Sequence, residues 1–142
     1  MRYADTCLLV SLFIRDSGTE AALGWLKAAG AEPVLASHWS LTEFSSAAAF
    51  LARKGRILPE LQRKALAKFH RFAKARLALE APHASDFERA AKTLESYDSG
   101  LRAGDALHLA ICARLGAVLC TADVRMADAA SAIGIRVERI GR

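Results

Sequence analysis

A chain of 142 residues, 53% of them hydrophobic and 25% charged, is long enough for one domain with a single core and too apolar to be disordered. No apolar run reaches membrane-spanning length, so no membrane partner is expected. The net charge of +5 is unevenly placed: residues 53–76 hold nine Lys or Arg against one acid, Glu60, and the rest of the chain is net acidic.

From the N-terminus, "RYAD" (Arg2–Asp5) reads as a first short strand. The apolar stretch that follows, "CLLVSLFI", is short, is preceded by Asp5 and lacks a small-residue cleavage site. It therefore reads against a signal peptide and for a cytoplasmic protein. Further strands are expected at "VLAS" (Val34–Ser37), "LALE" (Leu77–Glu80), "AVLCT" (Ala117–Thr121) and "IRVER" (Ile135–Arg139), with helical patterns between them. Gly30, Gly116 and Gly134 each follow a helical segment and suit its C-terminus, while Pro59 suits the start of a long helix running toward Leu77. That helix is amphipathic, with Leu58, Leu61, Ala65, Phe69 and Phe72 on one side and Lys64, Lys68, Arg71 and Lys74 on the other. Short apolar strands alternating with helices imply an α/β fold, a parallel sheet covered on both faces, within a single domain spanning 1–142. Cys7, Cys112 and Cys120 form no C-x-x-C pair and lie in apolar runs, so buried reduced thiols are expected.

Ligands of an open parallel α/β sheet bind beyond the carboxyl ends of its strands. Asp5 ends the first strand, Asp123 follows "AVLCT" by two residues, and Glu43 lies in the first turn of the helix after "VLAS". The helix from about Ala103 to Leu115 must run antiparallel to the strand it precedes, which brings Asp105 near Asp123. Each acid also has an ordinary structural explanation. "SLTE" (Ser40–Glu43) matches a capping box, as do "SGTE" (Ser17–Glu20) and "SDFE" (Ser85–Glu88). Asp105 complements a helix dipole, and Asp123 suits a turn. Asp5 is the hardest to explain structurally, since aspartate is depleted in strands. Four carboxylates on one edge repel one another and recruit cations, and hard oxygen donors without Cys or His suit Mg²⁺ or Mn²⁺. Such ions activate water and stabilise an in-line phosphoryl displacement, and the basic helix suits a polyanionic substrate. The residues alone thus point to a metal-dependent nuclease or phosphatase.

"YADTCLLVSLF" (Tyr3–Phe13), "LTEFSSA" and "RAGDALHLAICARLGAVLCTADVRMADAA" (Arg102–Ala130) resemble, in order and spacing, the motifs of PIN-domain ribonucleases. At this length the chain is most similar to the VapC-type toxins of toxin–antitoxin pairs. The resemblance implies a three-layer α/β/α sandwich with a parallel sheet of about five strands. It also implies a Mg²⁺-dependent endoribonuclease leaving 5′-phosphate and 3′-hydroxyl ends, commonly a homodimer and held inactive by a VapB-type antitoxin. By motif, Asp5, Glu43, Asp105 and Asp123 would hold metal, Thr121 would support the fourth acid, and Thr6 matches the hydroxyl residue after the first aspartate. Cys7 stands where the family commonly carries Ser or Asn. His108 shares a helix face with Asp105 and is read as a packed or supporting residue rather than a base, and Asp128 as a surface acid. Trp25 and Trp39 are assigned to the core rather than to an interface. Two further readings stay open: a PIN nuclease of RNA processing without an antitoxin, and a non-catalytic PIN module that binds RNA or protein.

Overall fold

In the computed structural model of the chain, residues 1–96 and 100–141 are described; 97–99 and 142, part of the expected 1–142 span, lie outside the described residues. The elements in chain order are β1 (Arg2–Ala4), α1 (Thr6–Phe13), α2 (Thr19–Ala29), β2 (Val34–Ser37), α3 (His38–Arg53), α4 (Pro59–Arg76), β3 (Leu77–Glu80), α5 (Ala84–Ser96), α6 (Ala103–Leu115), β4 (Val118–Thr121), α7 (Val124–Ala132) and β5 (Val137–Arg139). All five strands are parallel, in the order β3-β2-β1-β4-β5, with Tyr3 of β1 opposite Leu35 of β2 and Leu119 of β4. The first three strands are laid down in one direction from β1, and the last two on its other side. The order therefore reverses between β1 and β4, which opens a crevice beyond their carboxyl ends.

Two apolar layers follow from the two-residue alternation of the strands. Tyr3, Leu35 and Leu119 point to one face and pack against α6 and α7 through Leu107, Leu109, Ile111, Met126 and Ala130. Ala4, Val34, Ala36 and Cys120 point to the other, against Leu8, Trp25, Phe44 and Phe69. The result is the α/β/α sandwich expected above. Phe44 and Phe69 stack with ring centroids 3.8 Å apart, fixing α3 against α4. Helix α6 is buried along its whole run Ala106–Cys112, which explains why its sequence carries no polar face there. Trp25 is buried, and Trp39 packs partly buried against the α6 layer, so both belong to the core as read. Asp128 is exposed, also as read. Among the described residues no helix is long and apolar enough to cross a membrane.

Several local expectations need correction. β1 stops at Ala4, and Asp5 caps α1 instead, accepting from Leu8 N–H at 2.8 Å. β4 and β5 begin one and two residues later than their apolar runs suggest. The three capping boxes are displaced or missing. Helix α3 starts earlier, so its box pairs Ser37 with Ser40 and leaves Glu43 well inside the helix, free of capping duty. At α5 the reach-back comes from Asp86 to the His83 N–H, at 2.8 Å, rather than from Glu88. At α2 the residue before the helix is Gly18, which makes no side-chain cap bond; Asp16 organises that turn through Ser11 and Gly18 N–H. Leu58 and Leu61, expected on the packed side of α4, are exposed, because that side meets the core only from Ala65 onward. Cys7 is exposed too, since it faces the sheet edge from the first turn of α1, whereas Cys112 and Cys120 are buried as free thiols.

Candidate active site

The four acids enter from four elements. Asp5 caps α1 directly beyond β1, and its amide bonds Cys120 O of β4 at 3.2 Å, so the aspartate sits in the crevice between those two strands. Asp123 caps α7 beyond β4, accepting from Met126 N–H at 3.2 Å. Asp105 is the third residue of α6 and reaches back to the Arg102 N–H at 3.2 Å, so it caps the helix while facing the edge. Glu43 projects from α3 toward the first turn of α6, where its Oε2 lies 2.5 Å from the place a Cβ on Gly104 would occupy.

Electrostatics show how close these groups stand. Burial pushes Asp5 up to about 6 despite hydrogen bonds from Thr121 and Leu8, and Asp123 pushes it the same way. The Cys7 thiol is pushed up to about 12, first by partial desolvation and then by Asp5, Asp105 and Asp123, with Arg102 opposing. Glu43 differs: partial burial would raise it, but His108, Thr6 and Trp39 outweigh that and hold it below the ordinary carboxylate range.

The supporting hydroxyls are where the sequence places them, although one works differently. Thr6 Oγ1 donates to Glu43 Oε1 at 2.6 Å, linking α1 to α3. Thr121 Oγ1 donates to Asp5 Oδ2 and accepts the Asp123 backbone N–H at 3.0 Å. It therefore supports the first acid directly and the fourth only through its main chain. His108 is buried, with Nδ1 2.7 Å from the Tyr3 hydroxyl and Nε2 bonded to Glu43 Oε1, so it is packed between β1 and α3.

Positive charge lies closer than the sequence indicates. A cleft of about 190 Å³ is lined by Gly100, Leu101, Arg102, Asp105, Asp123 and Arg125, with Arg102 Nε 3.6 Å from Asp105 Oδ2. Lys64, Lys68, Arg71 and Lys74 are exposed on α4, and Lys64 also pairs with Glu60 at 3.5 Å. The last turn of α4 leads into the start of β3, and Arg76 there bonds Gly30 O at 2.5 Å. Lys74 is thus at the sheet edge opposite the carboxylates. Arg102 and Arg125 were missed in the sequence because each is a lone residue beside an acid motif rather than part of a basic run.

Among the described residues, no group of three or more His, Cys, Asp or Glu side chains stands close enough to hold a metal ion by itself. The donor chemistry nonetheless fits a hard dication. Mg²⁺ usually keeps several waters and binds through one or two carboxylates plus substrate phosphate, so a loose acidic edge suits it better than a closed cage.

A five-stranded parallel sheet covered by helices on both faces, with carboxylates at its topological switch point, defines a protein of the α/β class. The chain belongs to the PIN-domain family, whose model, described as PIN domain, matches residues 2–132. Its fold is similar to those of several solved structures. Mycobacterium tuberculosis VapC20, a sarcin–ricin-loop-cleaving toxin, shares 21% identity over 95% of this chain and 96% of its own, with a TM-score of 0.72. VapBC2 from Rickettsia felis, solved bound to a promoter DNA fragment, shares 13% identity over 99% of this chain and 100% of that one, with a TM-score of 0.71. FitAcB from Neisseria gonorrhoeae shares 22% identity, covering 96% of each chain, with a TM-score of 0.62. No curated protein matches this chain in sequence.

Proposed function

We propose that the chain, acting as one domain over 1–142, is a Mg²⁺-dependent endoribonuclease and the toxin of a toxin–antitoxin pair in the cytoplasm. The observation that carries this reading is the placement of the acids at the β1/β4 crevice: Asp105 and Asp123 line one cleft, Thr121 joins Asp5 to the Asp123 backbone, and Glu43 lies against Gly104. Asp5, Glu43, Asp105 and Asp123 would hold Mg²⁺, or Mn²⁺ in its place; the ion supplies Lewis-acid stabilisation of phosphate charge and lowers the pKa of water. The chain's own residues do the rest. Thr121 and Thr6 hold Asp5 and Glu43 in place, while Arg102 and Arg125 bind the phosphates flanking the scissile bond. Lys64, Lys68 and Arg71 extend the attraction to a longer RNA, and Lys74 contributes least, being at the far edge.

The likeness to the solved VapBC2 assembly supports a VapB-type antitoxin as a partner of this chain, and a homodimer is proposed on the family resemblance alone. The test is cleavage of RNA with Mg²⁺, with EDTA, and by Asp5→Asn and Asp105→Asn, together with growth arrest on induced expression. Loss of cleavage in EDTA and in both variants is the expected result. Full activity in both variants overturns the site assignment.

A further inference from the structure

Glu43 is the acid most tightly held by the protein, and the groups that hold it form a chain running into the sheet. The Tyr3 hydroxyl lies 2.7 Å from His108 Nδ1, and His108 Nε2 meets Glu43 Oε1. Thr6 Oγ1 lies 3.1 Å from the same Nε2 and donates to the same Oε1 at 2.6 Å. The direction of the chain follows from its ends. A carboxylate only accepts, so Nε2 must carry the proton it presents to Glu43. A tyrosine hydroxyl carries its proton at neutral pH, and at 2.7 Å from Nδ1 it donates that proton there. Each ring nitrogen thereby has one role, and the hydrogen bond at Nδ1 selects the tautomer at Nε2.

The other carboxylate oxygen is set by space. Oε2 lies 2.5 Å from where a Gly104 Cβ would be, and the indole Nε1 of Trp39 lies 3.3 Å from that point. Trp39 Nε1 is buried and makes no well-aligned hydrogen bond, although it is near enough to favour the carboxylate's charge. Gly104 has ordinary helical geometry in α6 and no positive φ. Nothing in the backbone asks for glycine there, and alanine is the better helix former. The missing Cβ makes room for the Glu43 carboxylate.

We infer that Tyr3, His108 and Gly104 are positioning residues for Glu43, fixing one oxygen by a directed hydrogen-bond chain and clearing the space for the other. The inference rests on the assignment of Glu43 to the metal-holding acids. Partners behind a metal-holding residue commonly change affinity about 10- to 100-fold when removed.

The experiment makes two measurements on the full chain. Nitrogen NMR of ¹⁵N-histidine-labelled, metal-free protein is expected to show His108 protonated at Nε2, and Tyr3→Phe to lose that preference. Mn²⁺ binding, followed by the electron paramagnetic resonance of the free ion, is expected to weaken about tenfold or more in His108→Leu and to recover most of that in His108→Gln, whose side-chain amide restores a donor. Gly104→Ala is expected to weaken Mn²⁺ binding while its thermal midpoint holds or rises, the opposite of what a merely structural glycine would do. Two results overturn the inference: wild-type His108 protonated only at Nδ1, or His108→Leu and Gly104→Ala proteins that bind Mn²⁺ like the wild type. A wild-type chain that binds Mn²⁺, shows these differences and yet cleaves no RNA leaves the inference standing and overturns the nuclease reading. A wild type that binds no Mn²⁺ overturns both.

Discussion

Two aspartates in this molecule are equally buried, each 2% exposed, and they are treated in opposite ways. Asp86, at the seam between α5 and α6, faces Arg114, whose Nε lies 3.0 Å from Oδ1 and whose Nη2 lies 3.0 Å from Oδ2, and it also accepts the His83 N–H. Burial would raise it, but Arg114 and His83 outweigh burial and hold it below the ordinary carboxylate range. Asp5, at the sheet edge, receives a hydroxyl and one backbone amide, no cation within ion-pairing distance is found among the described residues, and it is pushed up to about 6. Proteins bury a charge when it is paired, so Asp86 is explained by the fold itself. Asp5 is not, and a carboxylate left without a cation at a topological switch point is what supports the metal site proposed above.

Substitution at either aspartate tests this contrast. Asn at position 5 keeps a good helix cap and removes the unpaired charge. Asp5→Asn is therefore expected to cut RNA cleavage by about a thousandfold, as loss of several kcal/mol of transition-state stabilisation would, while the thermal midpoint stays level or rises. A midpoint that falls sharply would make Asp5 a structural residue like Asp86. Asp86→Ala should do the reverse, lowering unfolding free energy by about 3 kcal/mol in a denaturant titration and leaving the cleavage rate of the remaining folded protein unchanged. Its pH dependence has a definite sign. A carboxyl depressed in the folded state contributes stability that is present above its unfolded value and is lost as pH falls through the folded one. Acid unfolding of the wild type should thus be steeper, at pH below the ordinary carboxylate range, than that of Asp86→Asn.

Smaller effects are expected around the acidic edge. Arg102→Gln or Arg125→Gln should raise KM for RNA about tenfold with a lesser change in kcat, and should reduce the salt dependence of binding, whereas Lys74→Gln should change KM less than about twofold. An equal effect at Lys74 would move the RNA path away from the cleft. Cys7→Ser should alter stability by no more than about 0.5 kcal/mol, because the side chain is exposed and fills no core space.

Much of this was legible in the residues, for reasons that are local. β2, β3 and α6 follow their apolar runs residue for residue, and Gly116 ends α6 with φ of 62°, since periodicity and capping act over a few residues. The placement of Asp5, Asp105 and Asp123 near strand ends followed from chain direction alone. The caps misled where several serines competed: Ser37 rather than Ser40 starts α3, and only the structure frees Glu43 from capping. Strand order, and with it the crevice between β1 and β4, depends on pairings such as Tyr3 with Leu119, which no local pattern specifies. The same holds for Tyr3 meeting His108 across 105 residues and for Gly104 opening space for Glu43. Which segments become strands and helices, and which acids stand at their ends, is written in neighbouring residues and can be read from them. Which acid is paired, which is left short of a cation and which is held in place depends on the folded chain, because burial and long-range contacts set the energy of a charge.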